Sequence, residues 1–119
     1  MVGLFSYPKR KLRKLIKEGE FEEAIALGNS MEEKYQYDPD FIIIMAGIFY
    51  ILQDPKKTLQ YVDRILEINE HDTDALGLKL RVHQHLKENS KVIECCKKIL
   101  EIDYDAYDVR TILNELEGK

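Results

Sequence analysis

A period of 34 residues runs through this chain and restricts its fold more than any other feature. Setting residues 39–72 over 73–106 places Arg64-Ile65-Leu66-Glu67-Ile68-Asn69 on Lys98-Ile99-Leu100-Glu101-Ile102-Asp103, and Asp74 on Asp108 as the next unit begins. One step back gives residues 5–38, with Gly19-Glu20-Phe21-Glu22-Glu23-Ala24-Ile25 at the middle and Met31 in register with Ile65 and Ile99. Self-similarity at this spacing marks stacked supersecondary units, each too small to bury its own apolar face. Such arrays present a surface and seldom carry chemistry, so the period predicts a binding module and leaves its partner unnamed.

Within each unit the apolar residues recur at intervals of three and four in two blocks, the pattern of two amphipathic helices. A helix-breaking signal divides the blocks: Glu18-Gly19-Glu20 in the first unit, Asp54-Pro55 in the second and Glu88-Asn89-Ser90 in the third. Between units, Asp38-Pro39 and Asp72-Thr73 offer N-caps, and Asp105 is expected to do the same for the last helix. The segment from Tyr107 to Lys119 aligns Val109, Ile112, Leu113 and Leu116 on one stripe, predicting a capping helix over the third unit. Breaks are therefore expected near Gly19, Asp38, Gln53-Asp54, Asp72, Glu88-Asn89 and Asp105. The fold expected is all-α: a solenoid of three helical hairpins (5–38, 39–72, 73–106) plus a capping helix (107–119), in one domain spanning 1–119.

Composition fits that reading and narrows the function classes. At 45% hydrophobic and 34% charged over 119 residues, the chain suffices for one core. The most apolar run, Phe41 to Leu52, covers 12 residues, short of the roughly 20 a spanning helix requires. The start, Met1-Val2-Gly3-Leu4-Phe5, sets its apolar stretch before the basic residues, the reverse of a secretory signal, and Val2 removes the glycine that myristoylation needs. Cys95 and Cys96 are neighbours on a predicted helix and diverge by about 100°, so they do not pair with each other. A reducing, cytoplasmic setting is the expectation. No phosphate loop, HExxH or Cys-x-x-Cys motif is present, and no enzymatic activity, cofactor or metal is expected. His83 and Cys96 make at most two soft ligands, and Asp103, Asp105 and Asp108 lack both the glycine and the bidentate glutamate of a calcium loop.

A helical hairpin repeating every 34 residues resembles the tetratricopeptide repeat. The family motif asks for a large apolar residue at unit position 4, a Leu-Gly-like pair at 7 and 8, an aromatic at 11, Ala at 20, an aromatic at 24, Ala at 27 and Pro at 32. The second unit supplies Ile42, Met45, Ala46, Phe49, Thr58, Val62 and Ile65; the third Leu76, Leu80, His83, Val92, Cys96 and Ile99; the first Leu12, Leu15, Ala24, Gly28 and Met31. The family's proline at position 32 is Gln36, Glu70 or Tyr104 here, and its glycine at position 8 is absent. The resemblance implies that the first helices of successive units line a ligand groove. Carried over, the groove residues are Lys9, Arg10, Arg13, Ile16 and Lys17; Ile43, Ile44, Gly47, Tyr50 and Ile51; and Asp74, Leu78, Arg81, Gln84 and His85. Of the five positions with which some relatives hold a C-terminal carboxylate, only Lys9 matches; Arg13, Ile44, Asp74 and Leu78 occupy the rest.

Two features of that surface stand out from the residues alone. Residues 1–17 carry six basic side chains and no acidic one, whereas the remaining 102 carry twelve basic and twenty-two acidic. The second helix pair opens with Phe41-Ile42-Ile43-Ile44-Met45-Ala46-Gly47-Ile48-Phe49-Tyr50-Ile51-Leu52, apolar on every side. A basic end beside an apolar middle suits a protein or peptide partner bearing acidic and apolar residues, as an adaptor or scaffold would bind. One basic helix on a chain of pI about 5.4 argues against nucleic acid and against a membrane. The alternative reading is a homo-oligomer, such as a homodimer, in which a second copy fills the apolar groove.

Overall fold

Seven helices joined by short turns account for residues 2–118, the part described by the computed structural model, with side chains described from residue 7. They are α1 (Val2–Lys17), α2 (Phe21–Tyr35), α3 (Pro39–Ile51), α4 (Pro55–Ile68), α5 (Thr73–His85), α6 (Asn89–Ile102) and α7 (Tyr107–Glu117). No strand occurs among the described residues, and all six expected breaks fall in or beside the turns. The chain forms two compact units, Met1–Tyr61 and Val62–Lys119.

Capping explains most of the helix starts. The Asp38 carboxylate accepts the Asp40 amide at 2.9 Å ahead of Pro39, and that of Asp72 accepts the Ala75 amide at 3.0 Å. Asp54, before Pro55, accepts the Lys57 amide at 3.1 Å. Asp105 departs from expectation: Ala106 is the N-cap of α7 and provides no side-chain bond. Asp103 closes this turn instead, its carboxylate accepting the Asp105 amide at 3.2 Å, and the helix starts one residue later.

The hairpin turns repeat with the period of the sequence. Gly19, Gln53 and Lys87, each 34 residues from the next, all take the left-handed conformation, with φ of 77°, 59° and 58°. Each directs the same pair of bonds into the helix it ends. The Gly19, Gln53 and Lys87 amides donate to Ile16, Tyr50 and Gln84 carbonyls, and the amides one residue later donate to those of Leu15, Phe49 and His83. This is a Schellman termination, in which the left-handed residue satisfies carbonyls that the helix end would orphan. Glycine adopts it freely; glutamine and lysine do so against a steric cost.

Between the turns, the residues at the signature positions are buried. In the first unit Leu12, Leu15, Ala24, Met31, Phe41, Ile42, Met45, Ala46, Ile48 and Phe49 form the interior. The Met45 thioether lies against Gly28 so closely that a Cβ there would overlap it, which is why α2 carries no side chain where α3 approaches. Thr58 is wholly buried and satisfied, its hydroxyl donating to the Asp54 carbonyl at 2.7 Å. In the second unit Leu76, Leu80, Val92, Cys95, Cys96 and Ile99 form the core, and α7 lays Val109, Ile112, Leu113 and Leu116 against it.

Two substitutions test this account. Ile99→Ala should cost about 2 to 4 kcal/mol through lost transfer energy and the cavity left behind, seen as a lower urea midpoint. Gln53→Gly and Lys87→Gly should each raise stability, by about 0.5 to 1 kcal/mol, by relieving the left-handed strain; an unchanged or lower midpoint would show that side-chain contacts hold these turns.

Candidate functional site

Every basic residue of the first seventeen lies on α1, and helical geometry sorts these residues by face. Lys9 points at α3: its ammonium sits 2.9 Å from the Asp38 carboxylate and 3.8 Å from that of Asp40. At 100° per residue, Arg13 and Lys17 lie within about 80° of Lys9, whereas Arg10, Lys14 and Lys11 lie about 100°, 140° and 160° away. Leu12 and Leu15 are buried and Ile16 is half-buried, so the apolar side of the helix is turned inward. Among the described residues, Arg10, Lys11, Arg13, Lys14 and Lys17 make no ion pair.

Lys9 thus differs from its neighbours in being engaged within the fold. The hydrogen bond that its ammonium donates to Asp38 raises its pKa above the ordinary lysine value, against burial and the nearby Arg13 charge. For Asp38, burial pushes the carboxyl up, but the Lys9 bond and charge and the Asp40 and Phe41 amides outweigh it, and the net direction is downward. The carboxylate that caps α3 therefore also ties α1 to it.

α3 supplies the apolar half. Phe41, Ile42, Ile44, Met45, Ala46, Ile48 and Phe49 are buried. Ile43, Gly47 and Tyr50 are half-buried and Ile51 is 51% exposed, a stripe at spacings of four, three and one along one face. Of the residues expected in the groove, Ile44 is the one that the interior takes. The stripe begins three residues after Asp40, the residue of α3 that Lys9 reaches. Phe49, behind the stripe, stacks on Tyr61 with centroids 5.8 Å apart and carries the Lys57 ammonium 4.9 Å above its ring; these contacts stiffen its surroundings.

In the second unit the corresponding positions fall on α5. Arg81, Gln84 and His85 are exposed, Leu78 is half-buried, and Asp74 is exposed in the first turn. His83 is buried and does not meet a metal-ligand set: its Nδ1 lies 3.0 Å from the Glu88 carboxylate, whose pKa this bond lowers. Both cysteines are free and buried, and burial pushes both thiols up, away from reactivity. No cluster of three or more metal-ligating side chains occurs among the described residues, and no helix there is long and apolar enough to cross a membrane.

Two features escaped the sequence reading. The engagement of Lys9 depends on Asp38 and Asp40, 29 and 31 positions away, and no local pattern announces it. The outer cations Lys11 and Lys14 were counted in the basic run, but the groove register passes over them.

No family model and no curated relative matches the chain. Solved structures do. The first tetratricopeptide domain of Spaghetti (RPAP3), bound to the HSP90 peptide SRMEEVD, superposes with a TM-score of 0.81 at 17% identity, covering 94% of this chain and 89% of that one. The solution structure of the first such domain of human RPAP3 gives 0.77 at 17% identity, over 93% and 87%. The chain has the fold of a tetratricopeptide-like helical repeat, all-α and built of hairpins.

The Lys9–Asp38 pair should be visible in the pH dependence of stability. Asp38→Asn keeps a capping oxygen and loses the charge, and at pH 7 it should cost up to about 1 kcal/mol. Because the folded Asp38 pKa lies below the unfolded value of about 3.9, its contribution is present above that value and lost as pH falls through the folded one. The gap between parent and variant should therefore narrow as the pH falls below about 3.9 and through the lowered Asp38 value. A gap that persists there would assign the effect to capping alone.

Proposed function

We propose that this protein is a non-enzymatic interaction module that binds a peptide or partner protein on its first helices. The observation that carries the reading is the stripe Ile43, Gly47, Tyr50 and Ile51 left open on α3, seven of whose residues are buried. A structural neighbour bound to an acidic peptide supports the class of ligand. The chain lacks four of the five carboxylate-holding side chains, so the recognition proposed here is of internal side chains and does not depend on a free C-terminus. The ligand would place an apolar anchor on Ile43, Tyr50 and Ile51 with acidic residues towards Arg13 and Lys17. On the second unit, taken by itself, the exposed Arg81, Gln84 and His85 of α5 are proposed as a further contact patch. We place the module in the cytoplasm, as an adaptor or scaffold over the single domain 1–119. The self-association reading draws no support from these neighbours.

Peptide display against the purified protein tests this. Enriched peptides should combine Asp or Glu with an aromatic or aliphatic anchor. Tyr50→Ala should weaken them by about 2 kcal/mol or more, mainly through faster dissociation, as expected of a half-buried aromatic at a contact centre. Charge reversal at Arg13 and Lys17 should mainly slow association and flatten its salt dependence. Equal binding by parent, Tyr50→Ala and Arg13→Glu proteins would remove the site from this face.

A further inference from the structure

We infer that α1 carries a second docking surface, on the side turned away from α3, for an acidic, extended segment of a partner protein. The surface is a pocket of about 310 Å³ lined by Tyr7, Arg10, Lys11, Lys14, Leu15 and Glu18. Its three cations make no ion pair among the described residues, and Tyr7 beside them is 56% exposed.

Charge complementarity and size choose the occupant. The surface offers no exposed aliphatic side chain among its lining residues, Leu15 being buried, so a partner helix would find nowhere to lay an apolar stripe. Cations four residues apart on a helix are separated by about 6 Å along the axis. Alternate side chains of an extended strand project to one face about 6.6 Å apart. Carboxylates two positions apart on an extended segment laid along the helix can therefore meet Arg10 and Lys14, with Lys11 about 1.5 Å along the axis from the first of them. Glu18 closes one end of the row and repels a carboxylate placed there, which limits the run and orients it.

A broad polyanion fits less well. Residues 18–61 of the same unit carry three basic and nine acidic side chains, net −6 beside a helix of +6. A bilayer or a nucleic-acid duplex is broader than one helix, and the net charge of the rest of the unit opposes it. A single extended segment touches the helix alone. Lys14 and Lys11 lie about 140° and 160° around α1 from Lys9, while Arg10, at about 100°, stands about 20° from Lys17, so the variants that tell this surface from the α3 site are those at Lys11 and Lys14.

The test uses the full chain and a fluorescein-labelled Asp-Ser-Asp-Ser-Asp-Ser-Asp peptide, with Asn in place of Asp as control. At low salt the acidic peptide should bind and the control should not, with backbone amide NMR shifts concentrated on residues 7–18. Lys11→Gln/Lys14→Gln, which keeps the helix and its length of side chain, should weaken binding at least tenfold; Tyr50→Ala should leave it within twofold. The inference is overturned if the double variant binds like the parent or the shifts fall on α3. It is overturned too if the acidic peptide fails to bind. Preference for phosphatidylcholine vesicles containing phosphatidylserine, or for oligo-dT, over the peptide would assign the cations to a lipid or nucleic-acid surface instead.

Discussion

Each hairpin reverses on one residue in the left-handed conformation, and the remaining packing follows from where that residue stands. With Gly19, Gln53 and Lys87 at a common spacing, the second helix of every unit leaves the turn at the same phase. That phase sets Ala24, Thr58 and Val92 at the inner face, where all three are buried. A shift of one residue rotates a helix by about 100° and would carry these residues off the interface. Two of the three positions hold residues that resist the conformation. The local preference is therefore overridden by the burial that the correct phase allows, since a few buried methyl groups outweigh about 1 kcal/mol of backbone strain.

What the interior leaves uncovered then defines the candidate site. α3 is apolar around its whole circumference, and seven of its thirteen residues are buried. Composition alone therefore cannot separate core from surface on this helix. Packing does so: Ile44, though adjacent to Ile43, turns inward, while Ile43, Gly47, Tyr50 and Ile51 stay at least partly open. Gly47 has nothing within 4 Å of where a Cβ would stand, so the stripe dips at its centre. A dip flanked by aliphatic side chains and an aromatic ring is a surface with room for an anchor.

The periodic part of the fold was legible in the sequence because one physical cause, the burial of a 3.6-residue stripe, repeats at every unit. Ile65 and Ile99 announce themselves twice, and Asp38-Pro39 and Asp54-Pro55 mark their helix starts by local chemistry. Asp105 misled because three aspartates stand near one turn, and their side chains compete for the same amides; Asp103 closes the turn first. The apolar half of the site was legible only through the family resemblance, since nothing within Phe41 to Leu52 distinguishes Ile43 from Ile44. The division of the basic residues was not legible at all. That Lys9 is engaged while Lys11 and Lys14 are unpaired depends on α3 bringing Asp38 and Asp40 to one side of α1, a long-range placement.

That placement also bears on why α1 is as basic as it is. Among the described residues, α1 is held in the fold by its buried leucines and by Lys9 alone of its cations, which pairs with Asp38 and Asp40. The other five cations lie within a few turns of one another and of Lys9, whose affinity for its proton Arg13 already lowers. Like charges at such spacings destabilise a helix by a few tenths of a kcal/mol per pair. Scattered acidic residues would have relieved the repulsion, and the rest of the chain has twenty-two to draw on, yet the first seventeen residues contain none. The acidic ligands proposed for α1 would relieve a repulsion that its own sequence leaves in place.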